Sequence, residues 1–259
     1  MEKPFLPIRK VDFVSIIELK NVDTIYDGEE FPTIRNINLE INQGEFVCVM
    51  GPNGAGKTTL LETVNGLLDH TNGRVSVLGE NIKNDGTEIR KRVGYLLQNF
   101  SFSPDEPFLV EDVVMMGRVG RIGILNSPDE KDWDTVYECM DLVGVSEFAK
   151  KPIGKLSGGE QQKVMLARVM AQEPEILLLD EPFTNLDFKA KEELQKLIIN
   201  IYEKRNLTTL MVTHDVGSVP KVSSRIVLMD GGQIVLEGNP QEVIESKTWK
   251  SVYGLTLGG

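Results

Sequence analysis

The sequence predicts an α/β fold in which buried strands alternate with helices, with antiparallel strands near the N-terminus and a helical segment inserted in the middle. A short apolar run, residues 46–50, leads into a glycine-rich loop and then a helix. The continuous apolar runs 176–180 and 208–214 are typical of strands in a sheet that is covered on both faces. Alternation of apolar and polar residues at 15–22 and 34–41 is typical of half-buried strands.

Composition and charge indicate a soluble globular protein and argue against a membrane span, a secretory signal and a nucleic-acid surface. The chain has 259 residues, of which 41% are hydrophobic and 26% charged, as expected of a soluble globular protein. No apolar run reaches the roughly 18 residues of a membrane span, and the first residues lack the apolar core of a secretory signal. The net charge of −11 argues against a surface for nucleic acid. Cys48 and Cys139 lie far apart in the sequence and are expected to be core residues in a reducing cytosol.

The remaining elements follow from turn and helix signals. Residues 71–73 indicate a turn before a short antiparallel strand at 74–80, and residues 226–238 predict a hairpin. The middle of the chain, 99–158, begins with a proline-rich stretch and then becomes helical. There Ser127 and Glu130 predict a capping box, with proline at the first helical position. The apolar face of this helix is expected to form a small core of its own, with residues Trp133, Val136, Tyr137, Met140 and Val143.

The glycine-rich loop, residues 51–58, reads GPNGAGKT and fits the phosphate-loop pattern G-x-x-x-x-G-K-[ST]. Its glycines lack a Cβ, so successive backbone N–H groups can close around an anion, and the following helix presents the positive end of its dipole. Lys57 is expected to reach the β- and γ-phosphates, and the Thr58 hydroxyl to ligate Mg²⁺. The context of strand, loop and helix therefore predicts nucleotide binding.

Two further motifs extend this prediction. Asp180 ends a buried strand, where ligands of open α/β sheets bind, and Glu181 follows it as a possible proton acceptor for an attacking water. Ser157 and Glu160 form a second capping box, within the segment LSGGEQQKVMLAR at 156–168. This glycine-rich helix start is also an anion site, and since the chain already has a phosphate loop, the γ-phosphate on another copy explains it best.

With these motifs in this order, the chain resembles the ATP-binding subunits of ABC transporters over about residues 15–240. The resemblance implies a P-loop NTPase (RecA-like) core with an antiparallel β subdomain, residues 15–98 and 159–240, and a helical subdomain at 99–158. Residues 1–14 would then be an N-terminal arm, and residues 241–259 a C-terminal tail.

The resemblance also implies a role for individual residues. Tyr26 would stack on adenine, Gln98 would sense Mg²⁺ and γ-phosphate, and His214 would contact γ-phosphate as a switch. The implied sites are catalytic Glu181, His214 and Lys57; ATP-binding Tyr26, Gly51, Asn53, Gly54, Ala55, Gly56, Lys57, Thr58 and Thr59; Mg²⁺-binding Thr58, Gln98 and Asp180; Ser157, Gly158, Gly159 and Glu160 for ATP on the second chain; and Asp187 for communication across the dimer.

The expected mechanism is an ATP-dependent head-to-tail dimer of two copies that opens on hydrolysis and drives transmembrane permease subunits. Departures from the family pattern are mild: Glu160 and Lys163 stand where the family also accepts Gln and Arg, Asn185 replaces a commoner small residue, and none removes a catalytic group. The expected cofactors are ATP and Mg²⁺. The expected location is the cytoplasmic face of the membrane, with a substrate-binding protein as an indirect partner and no nucleic acid.

Residues 102–118 and 151–159 resemble importers of manganese, zinc or chelated iron, so the sequence favours metal-ion import. Import of a siderophore, cobalamin or another small solute stays open. An ATPase of DNA repair or of translation is the remote alternative, although a long heptad insert, zinc cysteines or a tandem cassette would be expected there and the chain has none of them. A regulator that binds ATP without hydrolysing it would be expected to lack Glu181 or His214.

Overall fold

A computed structural model describes residues 15–26, 28–98, 102–123 and 125–254. The N-terminal arm predicted at 1–14 lies outside these described residues. Within them the chain forms ten strands and nine α-helices. The strands are β1 (Ser15–Thr24), β2 (Ile34–Asn42), β3 (Phe46–Met50), β4 (His70–Val77), β5 (Glu80–Asn81), β6 (Val93–Leu96), β7 (Ile176–Asp180), β8 (Thr208–Val212), β9 (Arg225–Asp230) and β10 (Gln233–Gly238).

The centre of the molecule is a six-stranded sheet in the order β10-β9-β3-β8-β7-β6. All neighbouring pairs are parallel except the β9–β10 hairpin, which confirms the prediction for 226–238. Every residue of β3, β7 and β8 is buried, as their continuous apolar runs predict. The carboxyl ends of the parallel strands therefore meet at one edge of the sheet, where polar side chains can gather.

A second, antiparallel sheet has the order β2-β1-β4-β5. Its strands β1 and β2 confirm the two alternating segments. The predicted turn at 71–73 is wrong, because β4 begins at His70 and passes through it. A register irregularity opposite Lys20 and Asp23 in β1 accommodates these residues. Gly73 has a φ of 81°, and a Cβ there would overlap the backbone of Asn21, so glycine permits the bulge.

The helices cover the parallel sheet and form the middle segment. None of them, within the described ranges, is both long and apolar enough to cross a bilayer. Short 3₁₀ turns link several of them, among them Met116–Arg118. The helices are α1 (Lys57–Asn65), α2 (Ile82–Arg92), α3 (Val110–Met115), α4 (Val119–Ile122), α5 (Glu130–Val143), α6 (Gly158–Ala171), α7 (Phe188–Arg205), α8 (Pro240–Glu245) and α9 (Lys247–Val252).

The capping box predicted for the insert forms at different residues. Ser127 and Glu130 do not form the capping box; Asp129 is the N-cap of α5, and its carboxylate accepts a hydrogen bond of 3.0 Å from the Asp132 backbone N–H. The Asp132 side chain closes the box and also accepts a 3.0 Å hydrogen bond from the largely buried Arg118 guanidinium. This ion pair with a residue outside the helix selects Asp132 as the third helical residue.

The insert also lacks the separate core that its apolar face predicted. Its buried side chains belong to one contiguous cluster with those under the parallel sheet. Val136, Met140 and Val143 are buried and Trp133 is half-buried, whereas Tyr137 is 39% exposed. The two parts merge because α6 packs against α3 and α5 of the insert and against β6 of the sheet.

The C-terminal segment, predicted as a tail from residue 241, forms ordered structure up to residue 254. Helix α8 begins with proline after the N-cap Asn239 and packs against β9 and β10. In α9, Trp249 is buried and lies against the Tyr253 ring, with centroids 4.4 Å apart. These aromatic side chains attach the segment to the main core. The sequence of this segment did not predict that attachment.

We expect Gly117→Ala to destabilise the protein because the insert packs tightly against α6 there. A Cβ at Gly117 would overlap the carbonyl oxygen of Arg168 and lie 3.2 Å from the Ala171 Cβ. Overpacking of this kind costs about 1–3 kcal/mol, measurable as a lower urea midpoint. Gly120→Ala is the control, because its Cβ would meet only Lys91 at an ordinary 3.6 Å. Equal stability of the two variants would contradict the close packing of the insert against α6 at Gly117.

Candidate functional site

The phosphate loop joins the end of β3 to the start of α1, and its conformation requires glycine at two positions. A Cβ on Gly51 would overlap the carbonyl oxygen of Met229, and one on Gly56 would lie 2.5 Å from Ile34 Cγ2. Gly56, with a φ of 91°, is the N-cap of α1, and no side chain caps this helix start. The first backbone N–H groups of α1 are therefore open to an anion.

Lys57 is the first residue of α1 and is buried beside the loop. Its ammonium donates hydrogen bonds of 3.0 Å to the carbonyl oxygens of Gly51 and Pro52. Burial lowers the pKa of Lys57, while the carboxylates of Glu181 and Asp180 act against that fall. The charged lysine is thus held at the loop, within reach of the groups that the loop would bind.

A buried carboxylate lies next to the loop at the end of β7. The Thr58 hydroxyl donates a 2.9 Å hydrogen bond to Asp180 Oδ2. Burial raises the pKa of Asp180; the hydrogen bond from Thr58 opposes this rise and the charge of Glu181 adds to it. Asp180 Oδ1 is buried and has no hydrogen-bond partner among the described residues. An unsatisfied carboxylate oxygen beside a hydroxyl fits a hard divalent cation such as Mg²⁺.

Glu181 is placed by the register of three parallel strands. Leu96 of β6 pairs with Leu179 of β7, and Asp180 pairs with Val212 of β8. Continuing both strand pairs past their ends brings the chain after β6 and the chain after β8 to either side of Glu181. Glu181 itself has a φ of 44°, an uncommon value for a residue with a side chain, of the kind that concentrates at functional sites.

Three side chains hold the Glu181 carboxylate, which is itself buried. Gln98 Nε2 donates a 3.0 Å hydrogen bond and the Thr184 hydroxyl one of 3.2 Å, both to Oε2. His214 Nδ1 lies 3.0 Å from Oε1. A carboxylate has about four lone-pair sites, so one remains for a further donor such as a water molecule.

The loop and the carboxylate share one cavity of about 330 Å³. His214 lies on the other side of Glu181 in a neighbouring cavity of about 180 Å³, which Thr184 and Lys191 also line. The structure thus brings together the phosphate loop, Gln98, Glu181 and His214. The residues lining the larger cavity are Thr33, Asn53, Gly54, Gly56, Lys57, Thr58, Thr59, Gln98 and Glu181.

Tyr26 is not among the residues that line this cavity. Its hydroxyl donates a 2.5 Å hydrogen bond to Glu62 of α1 and lies 3.3 Å from the Thr59 hydroxyl. Burial and the hydrogen bond to Glu62 raise the pKa of Tyr26 to about 12. The phenol is therefore tied to α1, and the structure alone does not direct its ring to a nucleotide base.

The predicted signature residues form a separate surface. Ser157 is the N-cap of α6, and its backbone N–H and hydroxyl both donate to Glu160, at 2.7 and 2.6 Å. These hydrogen bonds lower the pKa of Glu160. Neither Ser157 nor Gly158 lines the cavity at the phosphate loop, and both are exposed. Asp187 is exposed as well and caps α7 through a 2.8 Å hydrogen bond from the Ala190 backbone N–H.

Comparison with known proteins decides the family. The model of the family described as ABC transporter matches residues 34–184, more than half of the chain. The chain belongs to the ABC transporter family of ATP-binding proteins. The predicted family and fold are confirmed, and the chain is an ATP-hydrolysing subunit of such a transporter.

Similar proteins agree on this ABC ATPase family but differ in what they transport. The chain is 35% identical to the manganese transport system ATP-binding protein MntB of Bacillus subtilis, over 92% of each chain. It is also 35% identical to the spermidine/putrescine import ATP-binding protein PotA of Borreliella afzelii, over 92% of this chain and 66% of that one. The dimeric structure of the bacterial ABC transporter cassette MJ0796 is 32% identical, with a TM-score of 0.73 over 86% of this chain and 98% of that chain.

Three polar residues at the site of this ABC ATPase escaped the sequence analysis. Thr184 holds Glu181, Lys191 forms an ion pair with Asp215 next to His214, and the Tyr95 hydroxyl lies 3.4 Å from Asp180. Tyr95 could have been found by pairing β6 with β7, since it lies near the carboxyl end of a strand beside that of Asp180. No local signal marks Thr184 or Lys191.

We expect Gly56→Ala to weaken ATP binding by at least about tenfold, because the left-handed backbone and the contact with Ile34 together would shift the loop. Equilibrium binding of a fluorescent ATP analogue measures this. Gly54→Ala is the matched control, because Gly54 also has a positive φ of 80° but has no atom within 4 Å of its added Cβ. Equal losses in both variants would mean that contact with Ile34 does not shape the loop.

Proposed function

We propose that this chain hydrolyses ATP at the cavity shared by the phosphate loop and Glu181, and that two copies bind ATP between them to drive a membrane permease. The observation that carries the proposal is that Lys57, Thr58, Gln98 and Glu181 line one cavity. Phosphoryl transfer to water needs a cationic donor, a hydroxyl and a carboxylate close together, and this cavity contains all three.

In this proposal the loop and Lys57 bind the phosphates of ATP. Backbone N–H groups at the start of α1 donate to them, and the Lys57 ammonium exchanges its two backbone carbonyl partners for phosphate oxygens. Thr58, Asp180 and Gln98 would hold Mg²⁺, with Asp180 contributing its unsatisfied oxygen. When bound, Mg²⁺ neutralises charge on the phosphates.

Glu181 is the proposed general base. Its carboxylate accepts a proton from the water that attacks the γ-phosphate, using the acceptor site that its three donors leave open. His214 and Gln98 orient the carboxylate from opposite sides. The exposed half of His214 is free to contact the γ-phosphate, because 52% of its side chain is accessible.

Ser157, Gly158, Gly159 and Glu160 are proposed to complete the site of a second copy. They form a helix start, exposed at Ser157 and Gly158, that does not line the chain's own loop cavity, so a nucleotide phosphate bound there would belong to another copy. Asp187 would carry the signal between the copies, and Tyr26 would stack on adenine after leaving Glu62. The dimer of the MJ0796 cassette supports this arrangement.

We expect Glu181→Gln to reduce ATP turnover by about 100-fold or more, because general-base catalysis contributes on that order. The variant should still bind ATP, and it should accumulate as an ATP-bound dimer because the γ-phosphate is not removed. Phosphate release and sedimentation velocity with and without MgATP measure the two effects. Glu192→Gln is the control, because Glu192 is an exposed residue of α7. If Glu181→Gln hydrolysed ATP as fast as this control, Glu181 would be excluded as the base.

The permease is proposed to dock in a groove between the insert and the core. This cavity of about 290 Å³ lies among α2, α4 and α6, and Tyr95 of β6, three residues before Gln98, lines it. The chain would thus lie on the cytoplasmic face of the membrane, with a substrate-binding protein as an indirect partner. Movement at the groove would reach the catalytic carboxylate through β6 and Gln98.

For the transported substrate we propose manganese or a related metal ion. The likeness to MntB over 92% of both chains supports this choice. The equal identity to PotA makes a polyamine the second candidate. Neither choice rests on the ATP site, since its residues contact nucleotide and not cargo.

The cargo is tested by uptake in source cells that carry either the wild-type chain or Glu181→Gln. We expect manganese uptake to fall with the inactive chain, while spermidine uptake stays unchanged. The tagged chain, isolated with its membranes, should recover a membrane protein with several spans. A loss of spermidine uptake alone would favour the polyamine, and recovery of nucleic-acid-associated proteins alone would place the ATPase outside transport.

A further inference from the structure

An unusually exposed aromatic residue begins helix α7. Phe188 follows Asp187 directly and is 84% exposed, although most large apolar side chains of this chain are buried. Helix formation does not favour phenylalanine at this position. The first turn favours proline and acidic residues, and Phe has a modest helix propensity. The fold of a single chain therefore does not explain an exposed phenylalanine here.

The first turn of α7 lies between the signature surface and the cavity that contains His214. On one side, a Cβ on Gly159 would lie 3.0 Å from the Ala190 Cβ, so the start of α6 is packed directly against this turn. On the other side, Lys191 forms an ion pair with Asp215 and lines the cavity that contains His214. Phe188 thus extends an exposed surface that already includes the signature residues.

We propose that Phe188 is an apolar anchor that becomes buried against the second copy of this chain when ATP closes the dimer. The inference rests on the proposed function, since it needs the signature surface to face another copy. A single exposed apolar residue is ordinary on a protein surface, and what distinguishes Phe188 is its position. Phe188 is next to Asp187 and within the surface that the dimer would cover.

The charge of the chain makes an apolar anchor useful. Each copy has a net charge of −11, so two copies repel each other at low ionic strength. Buried aromatic side chains commonly dominate the binding energy of an interface, and their contribution does not depend on net charge. Phe188 would supply attraction that the charged surface cannot, and twofold symmetry would use it twice.

The experiment measures ATP-driven dimerisation in a Glu181→Gln background by sedimentation velocity with MgATP. Adding Phe188→Ala should raise the dimer dissociation constant by at least about tenfold, because each dimer would lose two buried aromatic side chains. Leu125→Ala is the matched control, because Leu125 is 97% exposed and lies in the insert, far along the chain from α7. Binding of a fluorescent ATP analogue at monomer concentrations and the thermal midpoint should stay unchanged in both variants.

The outcomes separate the inference from the function on which it rests. If Glu181→Gln alone forms no dimer with ATP, the proposed function is wrong. If it dimerises and Phe188→Ala does so equally well, only the anchor is wrong. Phe188→Leu should restore most of the affinity, because an apolar side chain of similar size keeps the burial. A weakened dimer accompanied by weaker ATP binding to the monomer would overturn the anchor and indicate a role in the nucleotide site.

Discussion

The parallel pairing of β6, β7 and β8 is the constraint on which the site depends. The hydrogen bonds between these strands fix how far each runs before its chain leaves the sheet. Gln98 and His214 meet Glu181 because both follow strands whose ends are level with β7. A slip of one residue would turn every side chain of a strand to the other face. Such a slip would also carry Gln98 or His214 about 3.3 Å along the sheet from Glu181, so the strand pairing that builds the core also sets the geometry of the site.

The features that the sequence predicted are local in origin. The phosphate loop, the buried strands and the Ser157 cap each depend on a few consecutive residues, and the structure contains them all. The predictions that were wrong for the insert concern features that depend on residues distant in the sequence. Asp129 caps α5 because Arg118 holds Asp132, and the insert shares its core because α6 packs on both parts. The roles of the site residues depend on a nucleotide and on a second chain, which neither local patterns nor one folded copy can supply.

The polar groups of the site satisfy one another within a single chain. Lys57 binds the loop carbonyls, Thr58 binds Asp180, and Glu181 collects three donors. For these side chains, although not for the open backbone N–H groups of α1, nucleotide binding must exchange existing hydrogen bonds for new ones, and such exchanges have small net free energies. The unsatisfied oxygen of Asp180 is different, because a cation there would relieve an existing cost. In the proposed mechanism, the carboxylate end of β7 would therefore gain most from a bound Mg²⁺.

Helix α6 has a mechanical consequence for this ABC ATPase. It has 14 residues, so it is about 21 Å long and as stiff as any element of the fold. The signature residues occupy its amino end, and at its other end Arg118 and Arg121 bind the carbonyl oxygens of Ala171 and Gln172. The helix is thus held at both ends, because Gly159 at its amino end packs on Ala190 of α7. A displacement imposed at the groove by a permease would therefore move the signature turn and the first turn of α7 together, about 20 Å away.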